Sequence, residues 1–559
     1  MDAMAESQGN RIIVVGGVAG GASAAARARR CDEHAEIILF EKDEYVSFAN
    51  CGLPYFIGEE ITERSKLLVA TPELFRNRFN IDVRTRHLVQ SINVENKTVS
   101  VLNRESGEVS EEPWDRLILS TGAAPITPPL PGIESENVFT LRNLNDADAI
   151  KAFIAEHGCQ KAVVVGAGFI GLEMVEQLHH LKLETDLVEL QPQVLPPLDP
   201  EMARLVQNEL TDHDIKVHLG TAVVTIQTEN NTATGVELGN GTQIAADLVI
   251  LGIGVSPAIE LAQAAGIEIG ERGGIAVNDF MQTSHPDVYA VGDAVEYQHG
   301  VLETPHRIPL AGPANRAGRI AGQHAASTKA DPMIAPMGTA IVRVFGITAA
   351  VTGLSKKFAD RSQCKNRSII VVGKHHAGYF PGAQQLFLKL TYDPETGRIL
   401  GAQSVGREGV DKRIDVIATA MKFKGTVRDL AGVDLCYAPP FGSAKDPVHM
   451  AAFVACNDLD ELTRIIEVDA DLSGYQILDV RSQQEVDTFR FPEITHIPVD
   501  ELRGRLGELD ASRPIITVCH SGMRAYIAAR ILQQSGFENV HNLTGGMLMQ
   551  RFARPELFD

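Results

Sequence analysis

Two copies of a glycine-rich turn between a strand and a helix constrain the fold of this chain more than any other feature. The predicted strand Arg11–Val15 runs into Gly16-Gly17-Val18-Ala19-Gly20-Gly21, and Lys161–Val165 runs into Gly166-Ala167-Gly168-Phe169-Ile170-Gly171. Glycines permit the tight bend, and they let N–H groups at the helix start face a pyrophosphate. The sequence therefore predicts two dinucleotide-binding βαβ units.

An acidic residue completes each unit. Glu41 follows the predicted second strand, Glu36–Phe40, 25 residues after Gly16, and Glu189 ends the matching strand of the second copy. A carboxylate at this place can accept hydrogen bonds from ribose hydroxyls. The first copy has Val18 where the middle glycine is expected, so its pattern is incomplete. One glycine pattern is weak evidence, but two copies with acidic partners make a purely structural role unlikely.

Composition limits the function classes. With 559 residues the chain should divide into about three to five domains, and its net charge of −21 argues against binding nucleic acid. Met1–Asn10 is short and polar, so we predict neither a signal peptide nor a membrane span. Seven scattered cysteines without C-x-x-C or zinc spacing predict a reduced, cytoplasmic protein with no metal site and one or two functional thiols.

Two further segments extend the pattern. Ser120-Thr121-Gly122-Ala123 follows the strand Arg116–Leu119, and Val288-Tyr289-Ala290-Val291-Gly292-Asp293 precedes the predicted helix Gly312–Ala326. Together with the glycine turns, over about residues 11 to 450, these segments resemble the two-dinucleotide flavoprotein disulfide reductases. The resemblance implies FAD and a nicotinamide dinucleotide as cofactors, with Asp293 beside the ribityl and phosphate region of FAD. Glu189 favours NADH, because its carboxylate would repel a 2′-phosphate.

The same resemblance implies the residues that contact the two dinucleotides, and it implies a homodimer with active sites shared across subunits. The dinucleotide contacts are Gly16, Val18, Ala19, Gly21, Glu41, Lys42, Thr121, Gly122, Gly292, Asp293, Gly166, Gly168, Phe169, Ile170, Gly171, Glu189 and Gly254.

Cys51 is the candidate redox centre, within Ser47-Phe48-Ala49-Asn50-Cys51-Gly52-Leu53-Pro54-Tyr55. Two-cysteine reductases carry C-x4-C here, but position 56 is Phe56 and the next cysteine is Cys159. A lone thiol beside a flavin must store its oxidising equivalent as a mixed disulfide or a sulfenic acid. Most isolated cysteines are buried small residues, but this polar, glycine-bounded setting favours the redox role. We expect nearby positive potential and the flavin to favour the thiolate.

The first glycine turn separates branches of the single-cysteine relatives. The peroxide- and oxygen-reducing branches place a histidine in that turn, whereas Val18-Ala19-Gly20-Gly21 contains none. This turn, Ser47–Cys51 and Tyr437-Ala438-Pro439-Pro440-Phe441-Gly442 resemble the coenzyme A disulfide reductase branch instead. The resemblance implies bound coenzyme A as cofactor or part of the substrate.

By that resemblance, several side chains would contact coenzyme A. Ser47 and Asn50 would line its thiol end, and the first helix would hold its nucleotide through Ser23, Arg27 and Arg30, since arginine forks suit phosphates. An Ala/Arg helix face is often only solvated, and we expect this of Arg29.

Three residues nearer the C-terminus also match positions of that branch. Tyr379 and Tyr437 match tyrosines placed beside the cysteine from the partner subunit, where a hydroxyl could stabilise or protonate the departing thiolate. Lys445 matches a contact to the ligand's phosphates. A packed tyrosine or a solvated lysine remains the alternative for each.

A second thiol motif lies near the C-terminus. The predicted strand Pro514–Val518 runs into Cys519-His520-Ser521-Gly522-Met523-Arg524 before the helix Ala525–Gln533. N–H groups at such a turn stabilise a thiolate or persulfide. With the strand Gln476–Arg481, Glu485 at a helix start and Asn542-Leu543-Thr544-Gly545-Gly546-Met547, this region resembles a rhodanese domain. The C-x4-R loop is one residue shorter than in cysteine phosphatases and suits sulfane sulfur, so Cys519 and Arg524 are candidate catalytic residues.

The predicted fold class is α/β, with two Rossmann-type dinucleotide-binding domains, an α+β dimerisation domain and a C-terminal α/β rhodanese domain. The expected bounds are 11–145 and 246–328 for the discontinuous FAD-binding domain, 146–245 for the NADH-binding domain, 329–455 for the dimerisation domain and 465–559 for the rhodanese domain.

Three functions remain open at this stage. The first is NADH-dependent reduction of persulfides or polysulfides, such as CoA persulfide, by Cys51, with Cys519 accepting or delivering sulfane sulfur. The second is reduction of CoA disulfide with a regulatory rhodanese domain. The third, from another class, is a redox-sensing binding module, which predicts slow turnover and a ligand-dependent change of oligomer; complete dinucleotide motifs favour an enzyme.

Overall fold

The computed structural model describes residues 10–489 and 494–558. Residues 1–9, for which we predict no signal peptide, and residues 490–493 and 559 of the expected rhodanese domain lie outside this description. The described chain forms two compact units. One contains the residues up to Leu190 together with Thr221–Gly338, and the other contains Gln191–Gly220 together with the residues from Thr339 onward.

The elements up to the second glycine turn are β1 (Arg11–Val15), α1 (Ala19–Cys31), β2 (Glu36–Phe40), α2 (Leu53–Ile57), α3 (Pro72–Phe79), β3 (Asp82–Arg84), β4 (His87–Asn93), β5 (Thr98–Asn103), β6 (Val109–Pro113), β7 (Arg116–Leu119), β8 (Ala123–Pro125), β9 (Val138–Thr140) and α4 (Leu144–His157). Those that follow, to residue 338, are β10 (Lys161–Val165), α5 (Phe169–His180), β11 (Glu184–Glu189), α6 (Pro200–Asp212), β12 (Lys216–Leu219), β13 (Val223–Glu229), β14 (Thr232–Leu238), β15 (Gln243–Ala245), β16 (Leu248–Leu251), β17 (Val255–Pro257), α7 (Glu260–Ala264), β18 (Val288–Ala290), β19 (Tyr297–Gln298), β20 (Pro305–His306) and α8 (Ala311–Ser327).

Two parallel sheets organise the first unit. One has the strand order β18-β7-β1-β2-β3, and in the other β11, β10, β16 and β9 lie side by side in that order. Their central strands are continuous apolar runs, as expected for parallel strands covered on both faces. Because β18 joins strands from the start of the chain, the first Rossmann-type sheet is built from two distant segments.

Helix α1 packs unusually closely on α8. A Cβ atom on Gly318 would lie 2.2 Å from the carbonyl oxygen of Gly20, and one on Gly322 would lie 2.1 Å from that of Ala24. Glycine is therefore required at these positions of α8, and the close approach fixes α1 relative to the end of β18.

Besides α6 and β12, the second unit contains β21 (Ala340–Val344), β22 (Ile347–Gly353), α9 (Lys356–Arg361), β23 (Arg367–Lys374), β24 (Gln385–Tyr392), β25 (Ile399–Gly406), α10 (Val410–Lys422), α11 (Val427–Ala431), α12 (Pro447–Leu459), β26 (Arg464–Ile466), β27 (Gln476–Asp479), α13 (Gln483–Thr488), β28 (Ile494–His496), β29 (Ile515–Val518), α14 (Met523–Gln534), β30 (Val540–Leu543) and α15 (Gly546–Ala553).

An antiparallel sheet in the order β21-β22-β25-β24-β23 forms the core of the predicted dimerisation domain, with α10 and α12 packed on it. The buried Lys389 of β24 binds Asp199 at 2.8 Å and Glu201 at 2.5 Å, which attaches the start of α6 to this sheet. A buried ammonium is tolerated there because two carboxylates face it.

The C-terminal sheet is parallel throughout, in the order β26-β30-β29-β27-β28. Cys519 follows β29 at the carboxyl edge, where α/β folds place ligands.

The predicted fold class is confirmed, and β1, β2, β7 and β10 have the predicted bounds. The glycine-rich turn and the Ala/Arg-rich segment after it predict a helix over Ala22–Arg30, but α1 begins earlier, at Ala19, because Gly20 and Gly21 belong to its first turn. Among the described residues, none of the helices combines the length and apolar character needed to cross a membrane.

Candidate active site

Both glycine turns hold a carboxylate against their second residue. The N–H of Gly17 donates to Glu41 Oε2 at 2.8 Å, and the N–H of Ala167 donates to Glu189 Oε2 at 2.7 Å. Burial raises the pKa of Glu41, although the N–H groups of Gly17 and Asp43 oppose that shift. The two copies therefore share one geometry, with a buried acid beside the start of each helix.

The last glycine of each turn is required by space. A Cβ atom on Gly21 would lie 1.8 Å from the oxygen of Gly16, and one on Gly171 would lie 1.9 Å from that of Gly166. Gly16 and Gly166 themselves have φ of +93° and +103°, a region that favours glycine.

The middle glycine position of the motif, occupied by Val18 in the first turn and Gly168 in the second, does not require the absence of a Cβ atom. Val18 and Gly168 both precede the first residue of their helices, with φ of −91° and −78°. A Cβ atom on Gly168 would meet nothing within 4 Å. The negative φ of Val18 and the open space at the equivalent Gly168 show that this position does not need a positive φ or the absence of a Cβ atom.

Two alanine substitutions in the second turn should separate these requirements. We expect Gly171→Ala to lower the free energy of unfolding by about 1–3 kcal/mol, because the new methyl group overlaps a backbone carbonyl. Gly168→Ala should change it by no more than about 0.5 kcal/mol. Denaturant unfolding followed by circular dichroism measures both, and equal effects would contradict this account.

A third cluster lies where β7 and β18 end. Gly292 has φ of +84°, and Arg142 Nη2 lies 3.2 Å from Asp293 Oδ2. The hydroxyl of Thr121 donates to the carbonyl of Ala258 at 2.6 Å. Gly122, with φ of +70°, faces Arg142, whose Nη2 would lie 3.0 Å from an added Cβ atom.

The donor set of the first sheet fits FAD. Glycine turns without Cβ atoms and the helix start of α1 suit a pyrophosphate, and the buried Glu41 suits a ribose. Of the other predicted contacts, Lys42 is exposed directly after Glu41.

The second turn offers the same donor set for NADH. Phe169 and Ile170 open α5, with Ile170 exposed. Gly254, with φ of +118°, follows β16, the strand next to β10. The second glycine turn, after β10, and the loop of Gly254, after β16, thus lie at the same edge of the second parallel sheet.

Cys51 lies exposed in a short 3-10 turn, Asn50–Gly52, immediately before α2. Its Sγ is 3.8 Å from Asn50 Oδ1, and its N–H donates to the same oxygen at 3.1 Å. Ser47, with φ of +49°, donates its N–H to the carbonyl of Gly17 at 2.8 Å. The thiol segment is thereby attached to the first glycine turn.

The expected positive potential around Cys51 is absent from the surrounding protein charges. Burial by neighbouring atoms raises the pKa of the Cys51 thiol, Glu173 and Asp293 raise it further, and Arg142 lowers it. This part of our expectation differs from the structure, because burial and the carboxylates of Glu173 and Asp293 outweigh the charge of Arg142 at the sulfur. Arg142 and a backbone N–H group both act in the opposite direction and favour the thiolate.

Removing that cation should shift the reactivity of Cys51 to higher pH. In Arg142→Met, loss of the lowering charge should raise the pKa of Cys51 further, so less thiolate forms at a given pH. Alkylation by iodoacetamide, followed by peptide mapping between pH 6 and 10, measures this shift. Arg142→Lys, which keeps the charge, serves as the control, and an unchanged profile in Arg142→Met would contradict the role of Arg142.

Arg142 and Glu173 were missed by sequence reasoning. Tyr55, four residues after Cys51, donates its hydroxyl to Glu173 Oε1 at 3.0 Å. Glu173 lies on α5, just after the second glycine turn, and that location was the available signal. No sequence motif indicated a role for Arg142, which lies just before α4.

The predicted coenzyme A residues Ser23, Arg27 and Arg30 share one face of α1, at spacings of four and three residues. Ser23 Oγ donates to Asn315 Oδ1 at 2.5 Å, and Arg27 donates to Gln323 Oε1 through Nε at 3.1 Å and Nη2 at 2.5 Å. Arg30 is exposed, and its Nε donates to the carbonyl of Ala26.

Arg29 is not solvated, contrary to our expectation. It is 4% exposed, and it donates to the carbonyls of Phe79, Asn80, Asp32 and Glu33. These carbonyls lie at or just after the C-terminal ends of α3 and α1, so Arg29 binds the backbone at the ends of both helices.

Tyr379, Tyr437 and Lys445 belong to the second unit, and all three are exposed. The structure brings the two tyrosines together, with their hydroxyl oxygens 3.2 Å apart. Their hydrogen bond raises the pKa of Tyr379.

A buried arginine joins the segments that carry these tyrosines. Arg413 of α10 donates through Nη2 to the carbonyl of His375 at 2.7 Å and to Asp446 Oδ2 at 2.6 Å. His375 precedes Tyr379 by four residues, and Asp446 caps α12 after the Tyr437 segment. Sequence inspection did not identify Arg413.

Cys519 is 1% exposed and lies at the turn between β29 and α14. The N–H of Gly522, whose φ is +104°, points at its Sγ, 3.1 Å away. An N–H group aimed at sulfur at a helix start stabilises a thiolate or a persulfide anion.

Arg524 is bound in a fork by Glu485, with Nη1 to Oε2 at 2.6 Å and Nη2 to Oε1 at 2.5 Å. These bonds raise the pKa of Arg524 and lower the pKa of Glu485 to about 2. Both groups therefore stay charged at neutral pH, and the arginine is oriented beside the Cys519 loop.

Three family models match the chain. Residues 10–318 match the pyridine nucleotide-disulphide oxidoreductase family, residues 339–447 match the dimerisation domain of the same family, and residues 459–548 match the rhodanese-like domain.

Named relatives agree with this division. The coenzyme A disulfide reductase of Staphylococcus haemolyticus is 37% identical over 445 residues, which are 80% of this chain and 99% of that protein. The crystal structure of reduced Bacillus anthracis CoADR-RHD superposes with a TM-score of 0.95 at 45% identity, covering 98% of this chain and 99% of that one. The NAD-dependent persulfide reductase of A. fulgidus superposes with a TM-score of 0.91 at 38% identity, covering 96% of this chain and 99% of that one.

Proposed function

This chain belongs to the pyridine nucleotide-disulphide oxidoreductase family, and we propose that it reduces persulfides or polysulfides with NADH through Cys51, while Cys519 accepts or delivers sulfane sulfur. One observation carries the proposal. The exposed thiol of Cys51, in a segment bound to the first dinucleotide turn, is joined in one chain to a second thiol, Cys519, whose sulfur meets a loop N–H group. The relatives named for CoA-disulfide and persulfide reduction support the same reaction class.

The reaction balances with one NADH per persulfide. The Cys51 thiolate attacks one sulfur of R–S–S–H, a bond to Cys51 forms, the S–S bond breaks, and the leaving thiolate takes a proton. Bound FAD supplies a route for the electron pair of NADH to this sulfur. Cleavage of the new S–S bond restores the Cys51 thiolate and releases the second product. In sum, NADH, a proton and RSSH yield NAD⁺, RSH and hydrogen sulfide.

The cofactors are FAD and NADH, with coenzyme A as bound cofactor or part of the substrate. Asn50 and Ser47 would orient the attacked sulfur, and the α1 face of Ser23, Arg27 and Arg30 would hold phosphates of coenzyme A. Lys445, on the second unit, remains a proposed phosphate contact on the strength of the family resemblance. In a homodimer, the exposed tyrosine pair of one subunit would give a proton to the thiolate that departs at Cys51 of the other subunit.

Other elements of the proposal concern the whole chain. We propose the domain bounds that the sequence predicts. The family model of the dimerisation domain matches residues 339–447. Cysteines without disulfide partners among the described residues agree with a cytoplasmic location.

The test compares NADH consumption on CoA persulfide, inorganic polysulfide and CoA disulfide, in the wild type and in Cys519→Ser. We expect the sulfane substrates to turn over faster, and Cys519→Ser to slow them while sparing CoA disulfide. A large preference for the symmetrical disulfide contradicts the proposal. Unchanged persulfide turnover in Cys519→Ser removes the role of that thiol.

The second candidate is CoA-disulfide reduction with a regulatory rhodanese domain. The Staphylococcus relative favours it, since that protein aligns with 80% of this chain over nearly its whole length. Under this alternative, rhodanese substrates should change the rate on CoA disulfide without being consumed.

A further inference from the structure

The turn Thr544-Gly545-Gly546 is bound to the edge of the neighbouring antiparallel sheet. The N–H of Ile370 donates to Thr544 Oγ1 at 2.6 Å, and the Thr544 hydroxyl donates back to the carbonyl of Ile370 at 3.2 Å. The N–H of Gly545 donates to the same carbonyl at 3.1 Å. Ile370 lies in β23, the edge strand of that sheet, so the buried Thr544 satisfies edge groups that would otherwise be open.

The residues immediately after Thr544 contact the backbone of the Cys519 loop. The N–H of Met547 donates to the carbonyl of Cys519 at 2.8 Å, and the N–H of Leu548 donates to that of His520 at 3.0 Å. A Cβ atom on Gly546 would lie 2.6 Å from the carbonyl oxygen of Cys519, so the two backbones are in direct contact.

Side-chain packing supports the same connection. The ring of Phe552, on α15, meets the ring of Phe387 of β24 edge to face, with centroids 6.2 Å apart. A Cβ atom on Gly545 would lie 2.6 Å from Met549 Cγ and 3.3 Å from Ile370 Cβ. The start of α15 is therefore held between the β23–β24 edge and the loop that carries Cys519.

We propose that Thr544 is a positioning residue for sulfur transfer: by binding Ile370 of the dimerisation domain, it holds the turn that supports the Cys519 loop. Sulfur transfer at Cys519 then depends on the neighbouring domain as well as on the rhodanese domain. The reason is geometric, because the N–H of Gly522 stabilises negative charge on Cys519 only while the loop keeps its shape. The catalytic consequence rests on the proposed sulfur transfer at Cys519.

The test uses the full-length protein and three variants. Thr544→Val keeps the shape and removes the hydroxyl, Thr544→Ser keeps the hydroxyl, and Thr419→Val is the matched control. Thr419 is exposed on α10, and its hydroxyl bonds only to the carbonyl of Asp415 in the same helix. Sulfur transfer from thiosulfate to cyanide is measured beside NADH-dependent reduction of CoA disulfide, and amide hydrogen exchange is followed at Met547 and Leu548.

We expect Thr544→Val to slow sulfur transfer and to speed exchange of the two amides by about tenfold each, because the buried N–H of Ile370 loses its hydrogen-bond acceptor. Thr544→Ser and Thr419→Val should stay near the wild type, and CoA-disulfide reduction should not change. Wild-type sulfur transfer and exchange in Thr544→Val overturn the proposal, as does a Thr544→Ser variant as impaired as Thr544→Val. A wild-type protein that transfers no sulfur overturns the proposed function of Cys519 instead, and the exchange rates still decide whether Thr544 holds the loop.

Discussion

The Cys51→Ser variant is expected to lose NADH-dependent reduction of persulfides and of CoA disulfide by about a thousandfold or more. A serine hydroxyl at this position stays protonated at neutral pH and cannot form a sulfur–sulfur bond with the substrate. Cys51 is also the exposed thiol of the segment attached to the first glycine turn.

The readouts for this variant separate chemistry from folding. NADH should still bleach bound FAD in a single turnover, because the dinucleotide turns are untouched, while steady-state turnover on sulfur substrates disappears. Cys364→Ser is the matched control, since Cys364 is a half-buried thiol in the turn after α9. If Cys51→Ser consumed NADH at the wild-type rate on sulfane donors, the assignment of Cys51 as the redox thiol would be wrong.

The Arg413→Met variant is expected to be destabilised by about 3–5 kcal/mol. Arg413 is 1% exposed and Asp446 is 3% exposed, and removal of the guanidinium leaves that carboxylate buried without its partner cation. The change also removes the bond to the carbonyl of His375. Thermal or denaturant unfolding measures the loss.

A surface pair provides the comparison. Arg428 and Asp460 form an ion pair whose side chains are 59% and 42% exposed, so Arg428→Met should cost no more than about 1 kcal/mol. In Arg413→Met/Asp446→Leu, part of the lost stability should return, because no uncompensated charge remains. Equal costs for Arg413→Met and Arg428→Met would show that the buried pair does not hold the tyrosine segments together.

Sequence reasoning succeeded where the signal is local. The bounds of β1, β2, β7 and β10 follow from short apolar runs that end at glycine or at an acid, and each of these features lies within a few residues of the strand end. The Val18 position shows the limit of pattern matching. A motif treats the middle glycine as required, whereas Val18 and Gly168 both have negative φ, and a Cβ atom on Gly168 would meet nothing within 4 Å.

Sequence reasoning failed where charges act through space. Arg142 and Glu173 stand 91 and 122 residues after Cys51, yet they act on its sulfur together with Asp293. Arg29 differs from Arg27 and Arg30 only in which side of α1 it occupies, and the carbonyls that bury it come from other parts of the chain. Neither case leaves a pattern among adjacent residues.

By itself the sequence determined the two dinucleotide turns, the lone thiol at Cys51 and the loop of Cys519, because backbone geometry at a turn depends on which residues lack a Cβ atom or carry a thiol. Only the tertiary structure decided which charges surround Cys51, which residues join the segments of Tyr379 and Tyr437, and that Thr544 connects a sheet edge to the Cys519 loop. The physical reason is that electrostatic and hydrogen-bond partners are chosen by distance in space, and distance in space follows only from packing of the whole chain.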